Sequence, residues 1–199
     1  MAAGSAAGTA RKNATAFFNA PYFAVVGASN DTKKFGHTIF TWYTRHNLPV
    51  TPVNPGSPHV ETTNSKNEPQ AYPTIPGLSA LPHPSQTSVS FVTPPDRTLK
   101  VLKEAKELGI QGVWFQPGSF DEEVIEYARK EFKTAVGGHA GSAAHDGWCV
   151  LVDGERAAKA AKAAKAAKAA RAARVAKAAK AARAARVARA AKAAGAHKL

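Results

Sequence analysis

The run Phe23-Ala24-Val25-Val26-Gly27-Ala28-Ser29 sets four apolar residues directly before a glycine. A short polar loop leads through Lys34 to a second glycine, Gly36, and an amphipathic stretch follows over residues 38–46. This is the order of a first β-strand, a tight turn and a helix whose N-terminus points back at the turn. Glycine lets the backbone approach a phosphate closely, and the unpaired N–H groups at a helix start hold its charge. A single glycine turn is also the ordinary way to join a strand to a helix, so the ligand must be read from the rest of the chain.

The same alternation continues. Residues 50–53 read as a second strand that ends at Asn54-Pro55, and the polar stretch 56–70 reads as a long surface loop. A helical turn is expected near residues 78–81. Residues 88–92 form a third strand closed by Thr93-Pro94-Pro95. A helix follows with Leu99, Leu102, Ala105 and Leu108 on one face and Gly109 as its stop. Residues 112–115 are a fourth strand ending at Gln116-Pro117-Gly118. Asp121 opens another helix with Val124, Ile125, Ala128 and Phe132 inward, residues 134–136 are a short fifth strand, and Cys149 opens a further apolar run read as a buried strand. Strands alternating with helices in this way predict an α/β fold, a mainly parallel sheet with helices on both faces. The strand-end loops, 27–34, 54–55, 93–95 and 116–118, then gather along one edge, where open α/β sheets bind ligands.

Charge divides the chain. It carries 27 Lys+Arg and 14 Asp+Glu. Every acid lies at or before Glu155, together with 13 of the basic residues, so residues 1–155 carry a net −1. The other 14 basic residues lie between Arg156 and Lys198 with no acid among them. The high isoelectric point therefore belongs to the tail. No apolar run is long enough to span a bilayer. The lone cysteine excludes an intramolecular disulfide and favours a reducing, cytoplasmic setting. Residues 1–16, rich in Ala, Gly and Ser, read as a disordered extension. Their lack of acids with Arg11 and Lys12 leaves a mitochondrial transit segment as the alternative, and the C-terminal His197-Lys198-Leu199 is a faint peroxisomal address.

A dinucleotide dehydrogenase needs an acidic residue after its second strand to hold the adenosine ribose. Asn54 stands there, which argues against NAD, and no acid or base sits at the other strand ends. An NAD(P)-binding oxidoreductase-like protein is the enzyme alternative. Taken together, Val26-Gly27-Ala28-Ser29 with Lys34 and Gly36, Val53-Asn54-Pro55, Thr93-Pro94-Pro95, Trp114-Phe115-Gln116-Pro117-Gly118 and Cys149-Val150-Leu151-Val152 resemble the CoA-binding domain family. These are small Rossmann-like proteins similar to the CoA-binding domain of succinyl-CoA synthetase α subunits. The resemblance covers residues 17–155 and implies a site for CoA or an acyl-CoA. By it, Gly27, Ala28, Ser29, Lys34 and Gly36 lie near the phosphates, Asn54 and Pro55 near the adenosine half, and Thr93, Pro94 and Pro95 along the pantetheine arm. Gln116, Pro117 and Gly118 complete the site. No phosphohistidine-bearing or nucleotide-grasp domain accompanies it, so this chain does not complete acyl-CoA ligation, and binding without catalysis is the expectation.

Other reactive residues read as structure. Cys149 fits a buried apolar position, and Trp42, Tyr43, Trp114 and Phe115 fit the core. His37 reads as a helix residue beside the turn. His139, His145 and Asp146 lie in a glycine-rich loop that gives a metal no fixed geometry. From Arg156 to Lys192 every third residue is Lys or Arg, almost all the others being Ala. Such a tail, residues 156–199, permits a long helix or a disordered segment. It leaves no apolar stripe and resembles the tails of linker histones, implying non-specific contact with nucleic acid; an inert low-complexity expansion is the alternative.

Overall fold

The computed structural model describes residues 2–144 and 146–195, with side chains over 6–144 and 146–185. It divides into one unit from Met1 to Ala161 and a second from Lys162 to Leu199.

The first unit is built on a five-stranded parallel sheet of β1 (Tyr22–Val26), β2 (Val50–Val53), β5 (Thr87–Phe91), β6 (Gly112–Phe115) and β7 (Thr134–Val136), in the order β2-β1-β5-β6-β7. The α/β architecture with helices on both faces is as expected. Every residue from Phe23 to Val26 is buried because both faces of the sheet are covered. The pleat sends them to opposite sides. Phe23 and Val25 join one core with Trp114, whereas Ala24 and Val26 join the other with Val113 and Phe115.

Helix α2 (Phe35–Arg45) covers the first face with Ile39, Phe40 and Tyr43. Helices α3 (Pro95–Glu107) and α4 (Glu122–Glu131) cover the second with Leu102, Ala105, Val124, Ile125 and Ala128. Asp121 caps α4, its carboxylate accepting from the Val124 amide at 2.9 Å. Pro95 opens α3, where a missing N–H costs nothing. Gly109, at φ +74, ends the same segment in a left-handed conformation that suits glycine.

Four sequence expectations are corrected. The stretch 1–16, expected as a disordered extension, is helical over its described residues, which belong to α1 (Ala2–Phe17). Alanine is the strongest helix former, and its end is anchored by Ala14, Phe17 and Phe18, all buried. Phe17 meets the Trp114 ring edge-on at 5.4 Å, and the Ser88 hydroxyl donates to the Phe17 carbonyl at 2.9 Å. The stretch 56–70 is not a plain loop but enters a hairpin, β3 (His59–Thr63) against β4 (Pro69–Pro73). Asn64 closes its turn by accepting from the Lys66 and Glu68 amides, with Asn67 at φ +65. Pairing with its own second half supplied a partner that polar composition did not advertise.

The run after Cys149 is not a strand. Residues Val150–Gly154 form a π-helical turn that leads into α5 (Glu155–Gly195). The opening of α5 belongs to the domain, since Ala157 and Ala161 are buried in the first core. The boundary of the compact unit therefore falls after Ala161 and not at Arg156.

The second unit continues as α5, and its described side chains, from Lys162 to Ala185, are all exposed. Among the described residues no helix is long and apolar enough to cross a membrane.

Candidate functional site

Parallel strands direct their C-terminal ends to one edge, and the sheet order reverses between β1 and β5. Two loops emerge there side by side. Gly27 takes φ +89, a left-handed conformation, and a Cβ built on it would sit 3.0 Å from Thr93 Cγ2 and 3.3 Å from the Thr93 amide. The Gly27 amide donates to the Val53 carbonyl at 3.1 Å, and the Val92 amide donates to the Val26 carbonyl at 3.0 Å. The turn after β1 is thereby tied to both neighbouring strands.

Gly36 holds the helix against that turn. A Cβ at Gly36 would lie 2.0 Å from the Gly27 carbonyl oxygen, a distance no side chain tolerates. The second glycine thus serves close helix–turn packing and is itself buried. Ala28 is wholly buried beneath the turn. The Ser29 hydroxyl accepts from the Asp31 amide at 3.1 Å, the Asp31 carboxylate accepts from the Lys33 amide at 3.0 Å, and Lys34 stands exposed at the N-cap of α2.

The Asn54 amide is engaged at both ends. It donates to the Ala28 carbonyl at 2.7 Å and accepts from the Gly56 amide at 2.8 Å. Asn54 therefore braces the loop after β2 against the loop after β1, a task an acidic residue could not perform because it has no hydrogen to donate to a carbonyl. Pro55 beside it is exposed. Thr93 shares a 2.8 Å hydroxyl pair with Thr98, which also donates to the Thr93 carbonyl, so the start of α3 is fixed to its own loop. Pro94 is exposed and Pro95 half-buried.

The fourth loop divides. Gln116 is wholly buried, its carboxamide accepting from the Val150 amide at 3.0 Å and donating to Ser90 Oγ at 3.4 Å. Ser90 in turn shares a 2.7 Å bond with the Tyr43 hydroxyl. The Gln116 carboxamide is thus committed to Val150 and Ser90 within the core. Pro117 is half-buried and Gly118 exposed at φ +82.

Two residues that sequence reasoning passed over, Asn30 and Asp153, matter here. Asn30 accepts from the Glu61 amide at 2.7 Å, and His37 Nε2 lies 2.9 Å from the Glu61 carbonyl, so the hairpin is fastened to the glycine turn and to α2. Between α2 and the hairpin lies a cavity of about 620 Å³ reached by Thr32, His37, Thr41 and Arg45. Asp153 is buried and gathers the glycine-rich loop. Its carboxylate accepts from Ser142 Oγ at 2.8 Å and the Ala143 amide at 3.0 Å, and it pairs with Arg156 at 3.2 Å. No spacing in the sequence marks it.

Cys149 is buried, and burial pushes its thiol above the ordinary value, with the neighbouring Asp153 carboxylate adding to the shift. Burial likewise raises the Tyr43 phenol. Both shifts run opposite to the lowered pKa that activates a nucleophile. His139 is exposed and meets the Phe120 ring, and His145 lies outside the described residues. Among the described residues no group of three His, Cys, Asp or Glu could hold a metal.

A parallel sheet in this order, with a glycine turn at the reversal, defines a doubly wound α/β domain of the Rossmann-like type. The chain belongs to the CoA binding domain family, whose model matches residues 22–155. Among solved structures, a conserved hypothetical protein of Pyrococcus furiosus is similar at 29% identity over 58% of this chain and 91% of its own, with a TM-score of 0.50. A Thermus thermophilus protein known as cell-free ID.343 shares the fold at 22% identity over 74% and 98%, TM-score 0.56. A hypothetical protein of Pyrococcus horikoshii does so at 20% identity over 63% and 82%, TM-score 0.54. None of the curated proteins matches significantly.

Proposed function

We propose that this chain binds CoA or an acyl-CoA at the C-terminal edge of the sheet, as a binding protein without chemistry of its own. The observation that carries the reading is the paired placement of Gly27 and Thr93 in a chain of the CoA-binding domain family. A left-handed glycine at the sheet reversal, with no side chain between it and the neighbouring loop, leaves backbone where a pyrophosphate would rest. The Ser29 hydroxyl acts as an acceptor within its loop, which leaves its own hydrogen for an anion. Lys34 adds a point charge at the start of α2, where the helix dipole also favours negative charge. Ala28 contributes backbone to the same turn. Asn54 and Pro55 flank the adenosine half; Thr93, Pro94 and Pro95, with Pro117 and Gly118, wall the uncharged pantetheine arm.

Calorimetry on the full chain tests this. CoA is expected to bind at least tenfold more tightly than NAD, about 1.4 kcal/mol, because Asn54 is committed to the fold and offers no carboxylate to a ribose. Lys34→Ala should weaken CoA binding without lowering stability, and Gly27→Val should abolish it. Equal or tighter NAD binding would instead support an oxidoreductase-like cofactor site, and two variants that bind like the parent would move the site elsewhere.

A further inference from the structure

The charge spacing of the second unit carries a proposal independent of the CoA reading. From Lys162 to Arg183 the basic residues recur every third position on a continuous helix, and every side chain there is exposed. A step of three residues turns an α-helix through about 300° and climbs about 4.5 Å. The charges therefore follow a slow left-handed spiral that closes after roughly 18 residues. Lys162, Lys165 and Lys168 share one side, joined one spiral turn later by Lys180 and Arg183. Arg171, Arg174 and Lys177 fall on the opposite side.

We propose that this helix binds double-stranded nucleic acid through its phosphates and, having two basic sides, bridges two duplexes. The partner follows from charge and from what the helix lacks. An interfacial lipid helix needs an apolar face to bury, whereas here Val175 is an isolated exposed apolar residue among alanines. An acidic protein surface would be gripped by aromatic or other large anchors, and no aromatic residue occurs after Trp148. A duplex presents one negative charge per about 1.7 Å of its axis, so a rod with a cation every 4.5 Å or so always finds a phosphate in reach. A rod laid along the outside of a duplex turns one side to its phosphates, and the second side is left for another.

The full-length chain tests this with a random duplex carrying either a donor or an acceptor dye. Affinity for a single duplex is expected to fall about a thousandfold between 50 and 200 mM salt, the response to some six neutralised phosphates. R171Q/R174Q/K177Q strips one side of the segment between Lys162 and Arg183, and K165Q/R174Q/R183Q removes the same charge from both of its sides; glutamine keeps helix propensity in each. The first variant should hold a single duplex within about tenfold of the control, since it keeps one whole side, yet lose most energy transfer between duplexes. The control should retain that transfer. Equal transfer by the two variants overturns the two-sided arrangement. Salt-insensitive duplex binding, or tighter binding to vesicles containing phosphatidylserine than to duplex, overturns the partner.

Discussion

At the scale of single residues, the two glycines of the first turn perform different tasks that their shared type conceals. Gly27 needs its positive φ, and Thr93 leaves little room for a Cβ beside it. Gly36 has an ordinary helical conformation and is required only because the Gly27 carbonyl occupies the place of its Cβ. Gly36→Ala therefore does not relieve strain or improve the helix, although alanine is ordinarily about 1 kcal/mol better there. It should instead destabilise the protein by roughly 1–3 kcal/mol, as overpacking does, by forcing α2 off the sheet. Urea unfolding of the variant measures this, and a stability equal to or above the parent would show that helix and turn can separate freely. Asn54 teaches a similar lesson. Its identity argued against a ribose-binding acid in the sequence, and the structure supplies the physical use of the amide, a donor and an acceptor that tie two loops together.

At the scale of elements, α1 is the part whose sequence signal is weakest and whose structural role is large. Its alanines permit a helix but do not demand one. What decides is the pair of aromatic rings at its end, which pack on Phe23 and Trp114 across the first face of the sheet. Phe17→Ala should cost about 3–5 kcal/mol, because the ring is fully buried and leaves a cavity. Thermal unfolding followed by Trp fluorescence reads the loss directly, and a change below 1 kcal/mol or so would mean that α1 is dispensable to the core. The hairpin formed by β3 and β4 was equally hidden. Its prolines at Pro69 and Pro73 argue against strand, but they lie in a two-stranded ribbon whose outer edge needs no further partner.

At the scale of the whole molecule, the first core encloses both Tyr43 and Cys149. Each is held above its ordinary pKa, chiefly by burial. The folded state then binds these protons more tightly than the unfolded chain does. Stability from this source is complete below the ordinary values of 9.0 for the thiol and 10.0 for the phenol, and is lost as pH rises above them. Urea midpoints should fall steadily from about pH 9 upward, and Cys149→Ala should remove the earlier part of that fall; a midpoint indifferent to pH up to 11 would contradict the burial of both groups. The sequence alone determined the alternation of strands and helices, the loops that share one edge, and the separation of a nearly neutral domain from a basic tail. Those properties are local: a strand, a turn or a run of lysines is written in neighbouring residues. Tertiary structure decided that α1 is anchored, that Gly36 packs against the first turn and Gln116 bonds within the core, that Asp153 gathers the glycine-rich loop, and that residues 150–154 form a π-helical turn. Those outcomes depend on partners outside the local run, such as Trp114 for Phe17, the Gly27 carbonyl for Gly36 or the Val150 amide for Gln116, and only folding brings such partners within contact.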